Sequence, residues 1–195
     1  IKVSRNEGAA PRGFFKEASV LARARCDGLP QVFEVGQFKQ RPYLVLEYLE
    51  GRTLSETLRA GPMPAGAVRE LGISLARTMA ALHDLGLIHR DIKPANILLD
   101  GRGRPKLIDF GFAQEAEEAP SAASVAIGTL LYAAPEQSGV IARRVDARSD
   151  LYSLGVVLYE CATGAPPFEA QSVAEILHQH GAVVARPAAE VNPAV

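Results

Sequence analysis

The sequence predicts an α+β chain in two parts, a small strand-and-helix unit over residues 1–50 and a mainly helical unit over residues 51–195. Three observations carry that expectation. Two short strand-like runs meet at a turn near residue 40, apolar stripes at helical spacing dominate the chain beyond residue 64, and Glu50-Gly51 separates the two patterns. With 195 residues, 48% of them hydrophobic, the chain can bury a sizeable core.

Ile1-Lys2-Val3 reads as a strand. Residues 14–22 then place Phe14, Ala18, Leu21 and Ala22 on one helical face, with Glu17 on the same stripe, where a carboxylate needs a cation. Residues 31–38 and 43–48 read as paired strands around a Gln40-Arg41-Pro42 turn. Thr53-Leu54-Ser55-Glu56 has the form of a capping box, opening a short helix that Gly61 and Pro62 stop. Val68, Leu71, Leu75, Met79 and Leu82 recur every three or four residues, and Gly86 supplies a left-handed cap for that longer helix. Residues 97–99 and 106–108 flank the polar run 100–104 as a hairpin. A polar loop fills 114–126, and a helix over about 149–163 ends at Gly164 and Pro166-Pro167.

Composition removes several classes of function. The net charge is −1 with no basic block, which argues against nucleic acid and against membrane contact within this segment. Cys26 and Cys161 are too few for a disulfide framework or a zinc site. The apolar stretch 151–163 is interrupted by Glu160 and too short for a bilayer, and no signal-peptide layout opens the chain, so the expected location is cytoplasmic. A start on Ile1 and an end at Asn192-Pro193-Ala194-Val195 lead us to expect a fragment.

The chemistry lies in His89-Arg90-Asp91-Ile92-Lys93-Pro94-Ala95-Asn96, followed by Asp109-Phe110-Gly111. That spacing sets a proton acceptor beside two hard-oxygen metal ligands, as phosphoryl transfer requires. Asn96 stands at the entrance of the predicted hairpin and Asp109 at its exit, so both can face one ion.

Together with Glu17, Leu46-Glu47-Tyr48-Leu49, Gly128-Thr129, Ala134-Pro135-Glu136 and the run 149–155, in this order, the chain resembles the eukaryotic-type protein kinases, and specifically their bacterial Ser/Thr branch. The resemblance implies a two-lobed protein-kinase-like fold with a truncated N-lobe and a mainly helical C-lobe. It also implies ATP and Mg²⁺ as cofactors and Ser/Thr-bearing proteins as substrates in bacterial signalling. Asp91 would accept or orient the substrate hydroxyl's proton, Lys93 would steady the transferring phosphoryl oxygens, and Asn96 and Asp109 would hold Mg²⁺. Lys2 would hold the α- and β-phosphates and Glu17 would orient it. Leu46 would back the adenine pocket, Glu47 and Leu49 would supply hinge backbone, and Leu98 would also touch the nucleotide.

His89, Leu21 and Phe110 resemble parts of the apolar stack joining the lobes. Arg90 marks an activation loop ordered by phosphate, with Ser121 or Ser124 as the regulatory hydroxyl. Thr129, the third hydroxyl there, sits where the family holds the catalytic aspartate and substrate. Asp150 is either a helix cap or, as in the family, an anchor for the catalytic loop; we favour the anchor. Glu136 resembles a residue whose usual arginine partner lies beyond Val195.

The resemblance places the glycine-rich phosphate loop before Ile1 and the last helices after Val195, so weak ATP binding and slow transfer are expected of these residues alone. It also suggests a fused NTPase or sensor module. The rival readings are a non-catalytic kinase-like scaffold and a small-molecule phosphotransferase of related fold. The complete set of polar residues disfavours the first, and the segment 109–136, which would form a peptide platform, disfavours the second.

Overall fold

The computed structural model describes residues 2–3, 14–24, 26–39, 41–109 and 127–195. Strand β1 (Lys2–Val3), helix α1 (Phe14–Arg23), β2 (Val32–Phe38) and β3 (Arg41–Leu46) make up the first unit. Its antiparallel sheet has the order β1-β3-β2, with Val3 opposite Tyr43 and Phe38 opposite Arg41. The expected turn at 40–42 is therefore tighter than the sequence suggests. Arg41 and Pro42 already belong to β3, because Lys39 takes a left-handed φ of 48° and reverses the chain before them.

The second unit opens with β4 (Gly51–Thr53) and α2 (Leu54–Leu58), where Thr53 forms the predicted capping box with Glu56. Helix α3 (Ala65–Asp84) follows, burying Leu71, Leu75, Met79 and Leu82 as its stripe requires. Gly86, at φ 74°, ends it. The Leu87 N–H donates to the Leu82 carbonyl at 3.0 Å and the Gly86 N–H to the His83 carbonyl at 2.9 Å, the paired bonds of a Schellman motif.

A 3₁₀ turn (Pro94–Asn96) leads into the hairpin β5 (Ile97–Asp100) and β6 (Pro105–Leu107). Asp100 closes the hairpin by accepting from the backbone N–H groups of Arg102 and Arg104. Strand β4 adds a third member, in the order β4-β5-β6, which no pattern in the sequence announces. Gly51 makes this pairing possible, since a Cβ there would collide with the Leu99 carbonyl.

After α4 (Ile127–Leu130), the long helix α5 (Ala147–Thr163) begins two residues before the expected start, because Asp146 rather than a later residue caps it in a box with Ser149. Gly164 ends it at φ 88°. Helices α6 (Val173–Ala182) and α7 (Ala188–Val191) complete the described chain, and neither is anticipated from sequence.

One apolar cluster gathers Leu71, Leu75, Met79 and Leu82 of α3 with Leu54, Ile92, Ile97, Leu107 and Val157. Leu21 and Leu29 join it from the first unit, and the Leu107 N–H donates to the Gly28 carbonyl at 2.8 Å. The run 89–96 is thus mounted on the end of α3 and on the β5–β6 hairpin, over α5. No helix among the described residues is long and apolar enough to cross a membrane.

Candidate active site

Local geometry draws Asp91, Lys93, Asn96 and Thr129 together. The Asp91 carboxylate has both oxygens engaged: Oδ1 lies 2.9 Å from the Lys93 Nζ, and Oδ2 accepts from the Asn96 Nδ2 at 2.7 Å. The same Asn96 nitrogen donates to the Asp91 carbonyl at 2.9 Å, so the amide pins both backbone and side chain of that residue. Lys93 also donates to the Thr129 Oγ1 at 3.2 Å, which ties α4 to the run. Asp91 remains partly open, with about a quarter of its side chain exposed at 23%. A partly open carboxylate fixed by two donors can take a proton from an incoming hydroxyl.

Asn96 is buried, and its carbonyl accepts from the Ile108 N–H at 2.9 Å across the hairpin, which sets Asp109 one residue further along β6's exit. Asp109 is exposed and adopts φ 59°. The nitrogen of the Asn96 amide is spent on Asp91, so its Oδ1 is the atom that could join the Asp109 carboxylate as a second hard oxygen. That donor set suits Mg²⁺, which binds through few protein oxygens and fills its octahedron with phosphate and water. Among the described residues no cluster of three or more His, Cys, Asp or Glu side chains could hold a metal.

Asp150 governs the loop from beneath. Only 1% exposed, its Oδ2 accepts from the His89 N–H at 2.9 Å and its Oδ1 from the Arg90 N–H at 2.9 Å. His83 Nε2, at the end of α3, lies 2.8 Å from Oδ2. Asp146 takes the capping role, so Asp150 is the anchor and not the cap. These bonds hold Arg90 at φ 65°, a left-handed conformation that costs a non-glycine residue about 1 kcal/mol or more.

His89 is buried, and desolvation holds its imidazole below the usual range, against the opposing pull of the Asp150 and Asp91 carboxylates. Its Nδ1 accepts from the Asp91 N–H at 3.3 Å, so the neutral ring carries its proton on Nε2.

The residues expected to form the hinge follow the end of β3 at Leu46. Leu46 is half-buried beside Ala18 and Leu44. The Glu47 N–H is spent on the Gln31 carbonyl at 2.8 Å, and its Oε2 accepts from the Gln31 N–H at 3.1 Å. Leu98 lies in mid-β5, opposite Thr53 and Lys106.

Lys2 and Glu17 are placed in β1 and α1, but their side chains lie outside the described set, as do Phe110, Gly111, Ser121 and Ser124. Glu136 accepts from the Ser149 hydroxyl at 2.6 Å, a partner not foreseen. His83 was also missed, although it stands four residues after Met79 on the α3 stripe, the same signal that singled out Glu17.

A two-part α+β chain whose helix-anchored loop carries an aspartate, a lysine and an asparagine, opposite a hairpin aspartate, is the architecture of a phosphoryl-transfer domain. The chain belongs to the protein kinase domain family, which it matches over residues 1–192. It is 37% identical to serine/threonine-protein kinase PknB of Mycobacterium leprae, over 92% of this chain and 30% of that protein. Against serine/threonine-protein kinase pkn2 of Myxococcus xanthus the identity is 37%, over 95% of this chain and 23% of the relative. Against PknL of Mycobacterium tuberculosis H37Rv it is 41%, over 85% and 42%. The chain therefore spans less than half the length of these curated relatives. The crystal structure of the Mycobacterium tuberculosis PknI kinase domain, solved as a cysteine-to-alanine mutant, superposes with a TM-score of 0.70 at 26% identity, covering 93% of this chain and 64% of that one. The expected two-lobed kinase fold is the fold observed.

Proposed function

We propose that this chain is the catalytic centre of a protein serine/threonine kinase, transferring the γ-phosphoryl group of ATP to a protein hydroxyl in bacterial signalling. Asp91 orients the hydroxyl and accepts its proton as the oxygen attacks phosphorus. Lys93, bridging Asp91 and Thr129, steadies the transferring phosphoryl oxygens, and Thr129 positions the substrate hydroxyl between them. Mg²⁺, held by Asn96 Oδ1 and the Asp109 carboxylate, would neutralise phosphate charge when bound with the nucleotide. Leu46, Glu47, Leu49 and Leu98 frame the adenine, while Lys2 and Glu17 secure the α- and β-phosphates. Ser121 or Ser124 is the regulatory hydroxyl. Little covalent help is needed, since positioning and charge neutralisation supply most of the rate.

The observation that carries this reading is the closed set of bonds among Asp91, Lys93, Asn96 and Thr129. A scaffold that only binds has no use for a partly open carboxylate fixed on both oxygens. The test is phosphate transfer from radiolabelled ATP to a generic protein substrate by the natural full-length protein, beside Asp91→Asn. Transfer that the substitution lowers by roughly a hundredfold or more supports the reading. No transfer, or equal transfer by both proteins, sinks it.

A further inference from the structure

Arg90 is clamped at both ends of its backbone. Its N–H donates to the Asp150 Oδ1 at 2.9 Å, and its carbonyl accepts from the Gln137 Nε2 at 2.7 Å. The other end of the same amide is also engaged, since the Gln137 Oε1 accepts from the Ala134 N–H at 3.1 Å. A single half-buried side chain thus spans from the loop that carries Asp91 to the fully buried Ala134, a few residues beyond Thr129. The neighbouring Glu136 bonds to Ser149 on α5, so the segment bearing Gln137 is itself fixed to the helix that supplies Asp150.

Two anchors are needed because the conformation they hold is unfavourable. Arg90 at φ 65° turns the peptide plane that joins it to Asp91, and Asp150 constrains only the N–H side of that residue. The carbonyl side, whose plane includes the Asp91 nitrogen, is constrained by Gln137. We propose that Gln137 is a positioning residue for phosphoryl transfer: its amide fixes the Arg90–Asp91 peptide plane against the segment that follows Thr129, and so sets the aim of the Asp91 carboxylate at the substrate hydroxyl. This deepens the kinase reading and rests on it.

The chemistry of the amide supplies a sharp test. Gln137→Glu keeps the shape and the acceptor for Ala134 but replaces the donor facing the Arg90 carbonyl with an oxygen, and two acceptors then repel. Gln137→Met keeps the bulk and removes both bonds. In the natural full-length protein, each variant is expected to lower kcat for transfer to a protein substrate by roughly ten- to a hundredfold, the scale set by a misplacement of about 1 Å. KM for ATP should stay within about twofold, because neither the hinge nor the hairpin ligands touch Gln137. The Gln137→Glu loss should shrink as pH falls, since a neutral carboxyl can again donate to the Arg90 carbonyl, whereas the Gln137→Met loss should not.

Either variant retaining wild-type kcat would overturn the proposal, and so would losses matched by a proportionate fall in thermal midpoint or a Gln137→Glu loss that ignores pH. Should Gln137→Met not fold, the pH response of Gln137→Glu still decides. A wild type without transfer, or one equalled by Asp91→Asn, would instead overturn the kinase reading itself, so the two failures are distinguishable.

Discussion

The sheet of the first unit and the catalytic loop of the second achieve order by different means. Among the described residues, the β1-β3-β2 sheet has Ala18 and Leu44 as its buried cluster, while Phe33 and Phe38 stand 61% and 66% exposed on β2. The loop 89–96 rests on the large cluster around Leu75, Met79, Leu82 and Val157, and Asn96 and the Asp150 carboxylate of α5 are buried there with their side chains hydrogen-bonded. Buried polar groups with satisfied bonds specify a single geometry, whereas a thin apolar layer holds a sheet together without fixing it closely. Precision is therefore concentrated beneath Asp91.

The largest effect should come from Asp150→Ala. It leaves the N–H groups of His89 and Arg90 and the His83 ring without their acceptor in a buried site, and it releases the left-handed Arg90. A loss of about 3 kcal/mol is expected, which is roughly 6–12 °C in thermal midpoint for a chain of this size. Phosphate transfer should fall with it. The counterpart in the first unit, Glu47→Gln, touches an exposed bond to the Gln31 N–H and should shift stability by less than about 0.5 kcal/mol. Equal melting shifts for the two variants would erase the contrast.

Apolar truncation sharpens the same comparison. Leu75 is 1% exposed within the main cluster, and Leu75→Ala should cost about 3–4 kcal/mol because surrounding helices cannot collapse onto the void. Leu44 is equally buried at 2%, yet its cluster is thin and open to repacking, so Leu44→Ala should cost about 2 kcal/mol. Denaturant midpoints measured side by side would check the order, and a larger loss at Leu44 would contradict it.

What the sequence made legible was local. The Schellman end of α3 at Gly86, the capping box at Thr53 and the Asp100 hairpin each follow from residues two to five apart, and the run 89–96 holds Asp91, Lys93 and Asn96 at fixed spacing. What escaped was either very short or joined across distance. Strand β4 is three residues long and exists because β5 pairs with it. The Asp150 bonds span sixty or more residues, and the Gln137 bond to Arg90 spans forty-seven, so no periodicity could announce them. A glutamine following Ala134-Pro135-Glu136 looks like an ordinary solvated side chain until its amide is seen with both ends in use.

The smallest effect concerns the far side of α5, where the polar burial that typifies the second unit recurs away from the catalytic loop. His180 is buried against Phe168, with ring centroids 5.1 Å apart, and its Nδ1 lies 2.6 Å from the Tyr152 hydroxyl. Burial pushes the Tyr152 phenol up to about 12, so it keeps its proton and donates to Nδ1. Desolvation likewise holds His180 below the ordinary histidine value, the carbonyls of Leu130 and Leu131 opposing only in part. The unfolded chain then binds a proton near pH 6.5 that the folded chain resists. Stability from the neutral ring is complete above that pH and is lost as pH falls toward the depressed folded value. His180→Gln, which cannot titrate, should melt below wild type at pH 7.5, with the gap narrowing by roughly 1–3 °C at pH 5.5. His89 is common to both proteins and cancels from the difference. Parallel melting curves across that range would show that His180 is not held neutral by its burial.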